Sequence, residues 1–260
     1  IYNFYLRFMR KLKYIVLFFI STFLFTACDL MNQIAGDVTS GTYSQAVPLT
    51  ESEVNNGLKR ALTIGAETAV GDLSQPNAFY SDMAYKIFLP KEAQIITDNK
   101  DNALLQAAGI TKLIEDVEKS MNLAAEKAVI KAKPIFIDAI KNMSIQDAFG
   151  ILNGGDTAAS NYLRVKTYST LYSQFKPEVS TILGQPLFQG ISTNKAWTDL
   201  TGAYNGVAAF MPGWNKVNTN LDDYVTNKAL AALFEEVKKE ELLIRKDPAA
   251  RVEDILRMVF

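Results

Sequence analysis

Apolar residues recur along this chain at helical spacing. From Thr50 onward, Val54, Leu58, Leu62, Gly65 and Ala69 mark one buried helix face. Glu53 stands three residues after Thr50, the spacing of a capping box, with Leu49 and Val54 placed to staple the chain entry. Residues 71–86 read as irregular and "KIFLP" as briefly extended. Further helices are predicted over about 91–108 and 110–133. The second turns Leu113, Ile114, Val117, Met121 and Ala125 inward until Pro134, which lacks an amide hydrogen, kinks or breaks it. "IFIDAIKNM" continues as helix, and Ser144 with Asp147 caps a short helix up to Leu152. Asn153, Gly154 and Gly155 suit a left-handed helix close, and Asp156 suits the N-cap of the next helix.

Helices follow over 157–166 and 168–184. The latter carries Tyr168, Leu171, Tyr172 and Phe175 at i, i+3, i+4 and i+7, an aromatic stripe that reads as core rather than as a sugar platform. Thr193 is placed to cap a helix reaching about Phe210, and "MPGWNKVNTN" reads as a loop. Asp222 or Asp223 opens the longest helix, whose pairs Glu235/Lys239 and Glu241/Arg245 at i, i+4 read as a solvated face. Asp247 and Pro248 cap the last helix. No internal repeat of about 20 to 50 residues is visible. The predicted class is all-α: a single multi-helix domain of about eight to nine helices over residues 50–260, behind an N-terminal signal and a flexible tether.

The N-terminal pattern differs. Basic Arg10, Lys11 and Lys13 precede the apolar run Tyr14 to Phe25. At about a dozen residues the run is short of the roughly 20 that span a bilayer, and it suits a signal peptide. It ends in "FTAC", where Cys28 is the single cysteine of the chain. This resembles the lipobox of bacterial lipoproteins, in which that cysteine is acylated and becomes the mature N-terminus; Phe25 stands where leucine is more usual. The expected organisation is a signal peptide over 1–27 (starting at Met9), a lipidated N-terminus and tether over 28–49, then the helical domain. Each buried methylene contributes about 0.8 kcal/mol, so two or more acyl chains hold a protein firmly at a membrane.

Composition narrows the chemistry. Four of the 27 basic residues, Arg7, Arg10, Lys11 and Lys13, precede Cys28, and no acidic residue does. The segment from Cys28 onward therefore carries 23 basic against 28 acidic side chains, a net of −5. No basic stripe stands out to neutralise phosphates, so no nucleic-acid partner is expected. The chain has no histidine. Ser-His-Asp and Cys-His catalysis are thereby excluded, as are ordinary zinc sites. No cofactor and no metal are expected.

Several blocks resemble one bacterial family: "GAETAV", "KIFLP", "SMNLAAEKAVIKAKPIFIDAIKNMSIQDAFGILNGGDTAASNYLR", "YVTNKALAALF" and "IRKDPAARVEDILRMVF". In order and wording they are similar to the family catalogued as domain of unknown function 4197, over about Thr50 to Phe260. The resemblance implies a lipoprotein compartment and supplies no established activity. It also implies aspartate where this chain has Asn227.

The candidate chemistry lies mostly in the long middle block. "NGGD" opening a helix suggests a phosphate loop, but the Asp156 carboxylate would occupy the anion position and no lysine follows. Asp138, Asp147 and Asp156 are the candidate carboxylates, with capping and salt bridges to Lys141, Arg164 or Lys166 as their plain roles. Thr157, Tyr162 and Arg164 complete the candidate binding set. Ser173/Lys176 and Ser192/Lys195 have Ser-x-x-Lys spacing, but the first lies mid-helix and the second at a cap. "DNKDN", Asp98 to Asn102, has lysine where a calcium loop needs an oxygen ligand.

The expected function is a lipid-anchored, non-catalytic binding or assembly module facing the periplasm. Its partners would be the membrane through the N-terminal lipid, and an envelope protein or an apolar small molecule. The alternative is a carboxylate-based hydrolase of cell-wall glycan, which needs two facing carboxylates in unlike environments.

Overall fold

Thr50 and Glu53 close the capping box as predicted. The Thr50 hydroxyl accepts from the Glu53 N–H at 3.2 Å, and the Glu53 carboxylate accepts from the Thr50 N–H at 2.7 Å. The helix so started, α1, runs over Glu51–Leu73. In this computed structural model residues 49–94, 110–188, 190–208, 218 and 220–259 are described. The expected signal segment, Cys28, the expected tether, "DNKDN", most of the helix expected over 91–108 and nearly all of the loop expected over 211–220 lie outside them.

The described residues are helical apart from one small hairpin and the connecting segments. After α1 come the single turn α2 (Ala78–Ser81), a 3-10 turn at Lys91–Ala93, α3 (Ile110–Val129), α4 (Ala132–Lys141) and α5 (Ile145–Leu152). Then follow α6 (Ala158–Leu183), antiparallel β1 (Pro186–Phe188) and β2 (Ile191–Ser192), α7 (Thr193–Ala208), α8 (Leu221–Lys246), a 3-10 turn at Pro248–Ala250 and α9 (Asp254–Val259).

Several boundaries fall elsewhere than predicted. The break expected at Pro134 occurs earlier, at residues 130–131. This leaves the proline in the first turn of α4, where its missing amide hydrogen is harmless. The two helices expected over 157–184 are one, α6, which continues through Pro177. Ser192, not Thr193, caps α7 by accepting from the Lys195 N–H at 3.2 Å, while the Thr193 hydroxyl is buried and donates to Ser120 at 3.0 Å. Asn220 opens α8 ahead of Asp222 and Asp223. Asp247 caps the 3-10 turn rather than α9.

The core lies between α6 and α8, which share the most extensive helix contact, with α3 against both and α1 against α8. Phe136, Leu171, Phe175 and Leu233 are fully buried there, and the Phe136 and Phe234 rings meet edge to face at 6.0 Å. The aromatic stripe of α6 is core as expected, with Tyr168 and Tyr172 half-buried and their hydroxyls donating to Asn227 and Asp223. Small residues on α1 allow close helix approach. A Cβ on Gly57 would stand 2.5 Å from Val259 Cγ2 and 2.9 Å from Ile255 Cγ1, so α9 sits directly on that backbone.

Two polar side chains of α3 are buried to hold irregular chain. Asn122 pairs with both backbone groups of Ile87, accepting at 2.9 Å and donating at 2.9 Å, much as a neighbouring strand would. This gives "KIFLP" its place without a sheet. Glu126 accepts from the Phe79 N–H at 3.4 Å at the start of α2, and burial pushes its carboxyl above the ordinary range.

Two outcomes follow. Phe136→Ala should lose about 3–5 kcal/mol in urea unfolding, because it empties a fully buried ring site. For Glu126 the folded-state pKa is the higher one, so its favourable contribution is complete below about 4.5 and is lost as pH rises through the folded value. Glu126→Gln keeps an acceptor oxygen and cannot ionise. The wild type should therefore lose stability relative to Glu126→Gln as the pH rises above about 4.5; parallel stability curves would refute this.

Candidate functional site

The turn "ILNGGDTAAS" is held from outside its own sequence. Glu241 of α8 accepts from the N–H groups of Ala159 and Ser160 at 2.9 and 2.8 Å, the N2 and N3 positions an N-cap would serve. One turn on, Arg245 donates to the carbonyls of Ile151 at 2.8 Å and Leu152 at 3.5 Å, which end α5. The two side chains are ion-paired at 2.9 Å and are only 5% and 12% exposed. A carboxylate thus faces the positive end of α6 and a guanidinium the negative end of α5.

This corrects three expectations. Asp156 does not cap α6: it is exposed and ion-paired with Lys246, and Thr157 stands at the cap position with no side-chain cap bond. Gly154 and Gly155 are not left-handed, since Gly190 is the one described glycine with positive φ. What Gly154 supplies is room, because a Cβ there would stand 2.5 Å from the Ala158 Cβ and 2.9 Å from the Gly150 carbonyl. Finally, Glu241 and Arg245 are no solvated surface pair, and Lys239 pairs with Glu236 while Glu235 pairs with Lys238.

Fixing the α5–α6 turn sets α5 and α6 against α4 around an open cleft of about 460 Å³. Three of the candidate residues, Asp138, Asp147 and Tyr162, line it together with Asn142, Lys166 and Thr170. Asp156, Thr157 and Arg164 do not. Arg164 lies two positions from Tyr162, on another face of α6, with its guanidinium carbon 5.6 Å from the Phe234 ring. Asn142, Lys166 and Thr170 lie outside the candidate set read from the sequence. The available signal was i, i+4 spacing, since Asp138/Asn142 and Tyr162/Lys166/Thr170 are two such ladders.

The cleft has mixed charge. Asp147 closes a capping box on Ser144, whose hydroxyl and N–H donate at 2.7 and 3.1 Å and hold the carboxyl below its ordinary range; the Lys166 charge adds to this. Asp138 accepts from Asn142 at 3.2 Å. Burial, and then the Asp147 charge, raise the Tyr162 hydroxyl pKa. The Lys166 ammonium lies 5.5 Å from the Tyr162 ring. The expected salt bridges of the candidate aspartates to Lys141, Arg164 or Lys166 are not made among the described residues. This arrangement can bind polar groups, but Asp147 has been shifted away from the raised pKa a general acid needs.

Other clusters are already engaged. Asp72, Glu236 and Glu240 place carboxylate oxygens within 4.8 Å of one another and could hold a cation. Lys239, however, sits 2.8 Å from Glu236, which also accepts from the Tyr85 hydroxyl. Ser173 donates to the Thr170 carbonyl at 2.8 Å, and Lys176 is ion-paired with Asp223, which raises the lysine pKa. Neither has the form of a serine–lysine nucleophile.

Substitution separates the two aspartates. Asp147→Ala should destabilise the protein measurably, because it removes the carboxylate half of the α5 capping box on Ser144. Asp156→Ala should change stability by less than about 0.5 kcal/mol, as for an exposed ion pair. The reverse order in denaturant titrations would contradict the capping assignment.

No curated protein sequence and no solved structure matches the chain. The sequence profile of the family described as "Protein of unknown function (DUF4197)" matches residues 48–260. That match covers most of the chain and all of the described helices, and the protein belongs to this family.

Proposed function

We propose that this protein is a lipid-anchored module of the bacterial envelope that binds or assembles and performs no chemistry, with the α4–α5–α6 cleft as its contact surface. The observation that carries the reading is the composition of that cleft. Its polar groups face open space, while its half-buried carboxylate Asp147 is engaged in capping and held ionised. The glycan-hydrolase alternative needs an acid with raised pKa opposite a second carboxylate. Glu126 and Glu240 are the described carboxylates with raised pKa, and neither lines this cleft.

The occupant is polar rather than apolar in this reading. The apolar space between α1, α6 and α8, beside Glu241 and Arg245, is about 20 Å³. That is room for about one water molecule, whereas ligand pockets run to roughly 300–1,000 Å³. The anchor is supported by the signal pattern ending at Cys28.

Two measurements in cells test the reading. Metabolic labelling with an alkyne fatty acid should mark the wild type and not Cys28→Ser. A photo-crosslinking residue at Thr170, in the cleft, should trap a partner that the same residue at exposed Glu235 does not. An unlabelled wild type would overturn the anchor, and equal crosslinking from both positions would overturn the cleft.

A further inference from the structure

We propose that the α4–α5–α6 cleft binds a small zwitterionic ligand of peptide type, its ammonium on Asp138 and Asp147 and its carboxylate on Lys166. This rests on the reading of that cleft as the contact surface. The argument starts from groups of opposite charge that face one space without meeting. Lys166 acts electrostatically on Asp147, yet its ammonium forms no ion pair within 4.0 Å among the described residues. It stays beside the Tyr162 ring instead.

The acceptors are also partly unengaged. The bonds from Ser144 go to one Asp147 oxygen, and the bond from Asn142 to one Asp138 oxygen, leaving the second oxygen of each carboxylate available. The Tyr162 hydroxyl makes no hydrogen bond among the described residues and stands at the same lining. A simple anion would meet two carboxylates there, and a simple cation would meet Lys166. A ligand with both charges satisfies each wall, and charge-assisted hydrogen bonds are the stronger kind. The volume of about 460 Å³ lies in the range of small-ligand sites and admits a short peptide. The hydroxyls of Tyr162 and Thr170 can serve its amide groups.

Titration calorimetry of the full chain with alanyl-alanine, its N-acetyl form and its C-terminal amide tests the proposal. The unblocked dipeptide should bind, and each blocked form should bind about tenfold more weakly or worse, as expected for one lost charge-assisted bond. Lys166→Met should bind the dipeptide and its amide equally. Asp138→Asn should reduce the preference for the free amine over the N-acetyl form. These differences between ligands are read within one variant, so a general loss of folding cannot mimic them. Equal affinity of the wild type for all three forms, or no binding of the dipeptide, would overturn the ligand class. Partner trapping from Thr170 would then decide the rest: continued trapping leaves the cleft as a contact surface, and its absence removes that reading too.

Discussion

The fold turns on a largely buried carboxylate–guanidinium pair that completes two helices other than its own. Every helix end leaves backbone groups without partners, and a chain usually supplies local caps. At the α5–α6 turn the local candidates, Asp156 and Thr157, leave the amides of α6 to α8. Glu241 and Arg245 take both ends at once. Two charges taken out of water are favourable only when the remaining hydrogen-bonding positions are filled as well. Here the helix ends fill them, with the favourable sign at each end.

That constraint reaches the cleft through geometry. α5 and α6 cannot rotate about "NGGD" without breaking the bonds from α8, so the polar ladders of α4 and α6 keep their spacing across the opening. Elsewhere the same device recurs on α3, where Asn122 and Glu126 hold the chain around Ile87 and Phe79. Long helices in this protein carry buried polar side chains that serve as ties for shorter pieces.

Much of the fold was legible because helix period and caps are local signals. The Thr50/Glu53 and Ser144/Asp147 boxes, the inward face of α3 and the core character of the α6 stripe all read directly from spacing. The role of Glu241 is hidden in the sequence because its i, i+4 charge pairing with Arg245 has the form of a solvated pair. Glu241 falls on the face of Leu230, Leu233, Val237 and Ile244, and its position in that series is a buried one. Asp156 has the sequence position of a cap, but a good capping position says nothing of a distant competitor such as Glu241. The cleft was half legible: Asp138, Asp147 and Tyr162 meet, while Lys166 and Thr170 became visible only when α4 and α6 were set side by side.

Hydrogen exchange on Glu241→Leu, read at the amides of Ala159 and Ser160 together with global stability, tests this account most directly. A tie of this kind predicts faster exchange at those two amides and a loss of about 3–5 kcal/mol, since both amides and the Arg245 guanidinium lose their shared carboxylate. Unchanged protection at both amides with stability within about 0.5 kcal/mol of wild type would contradict it.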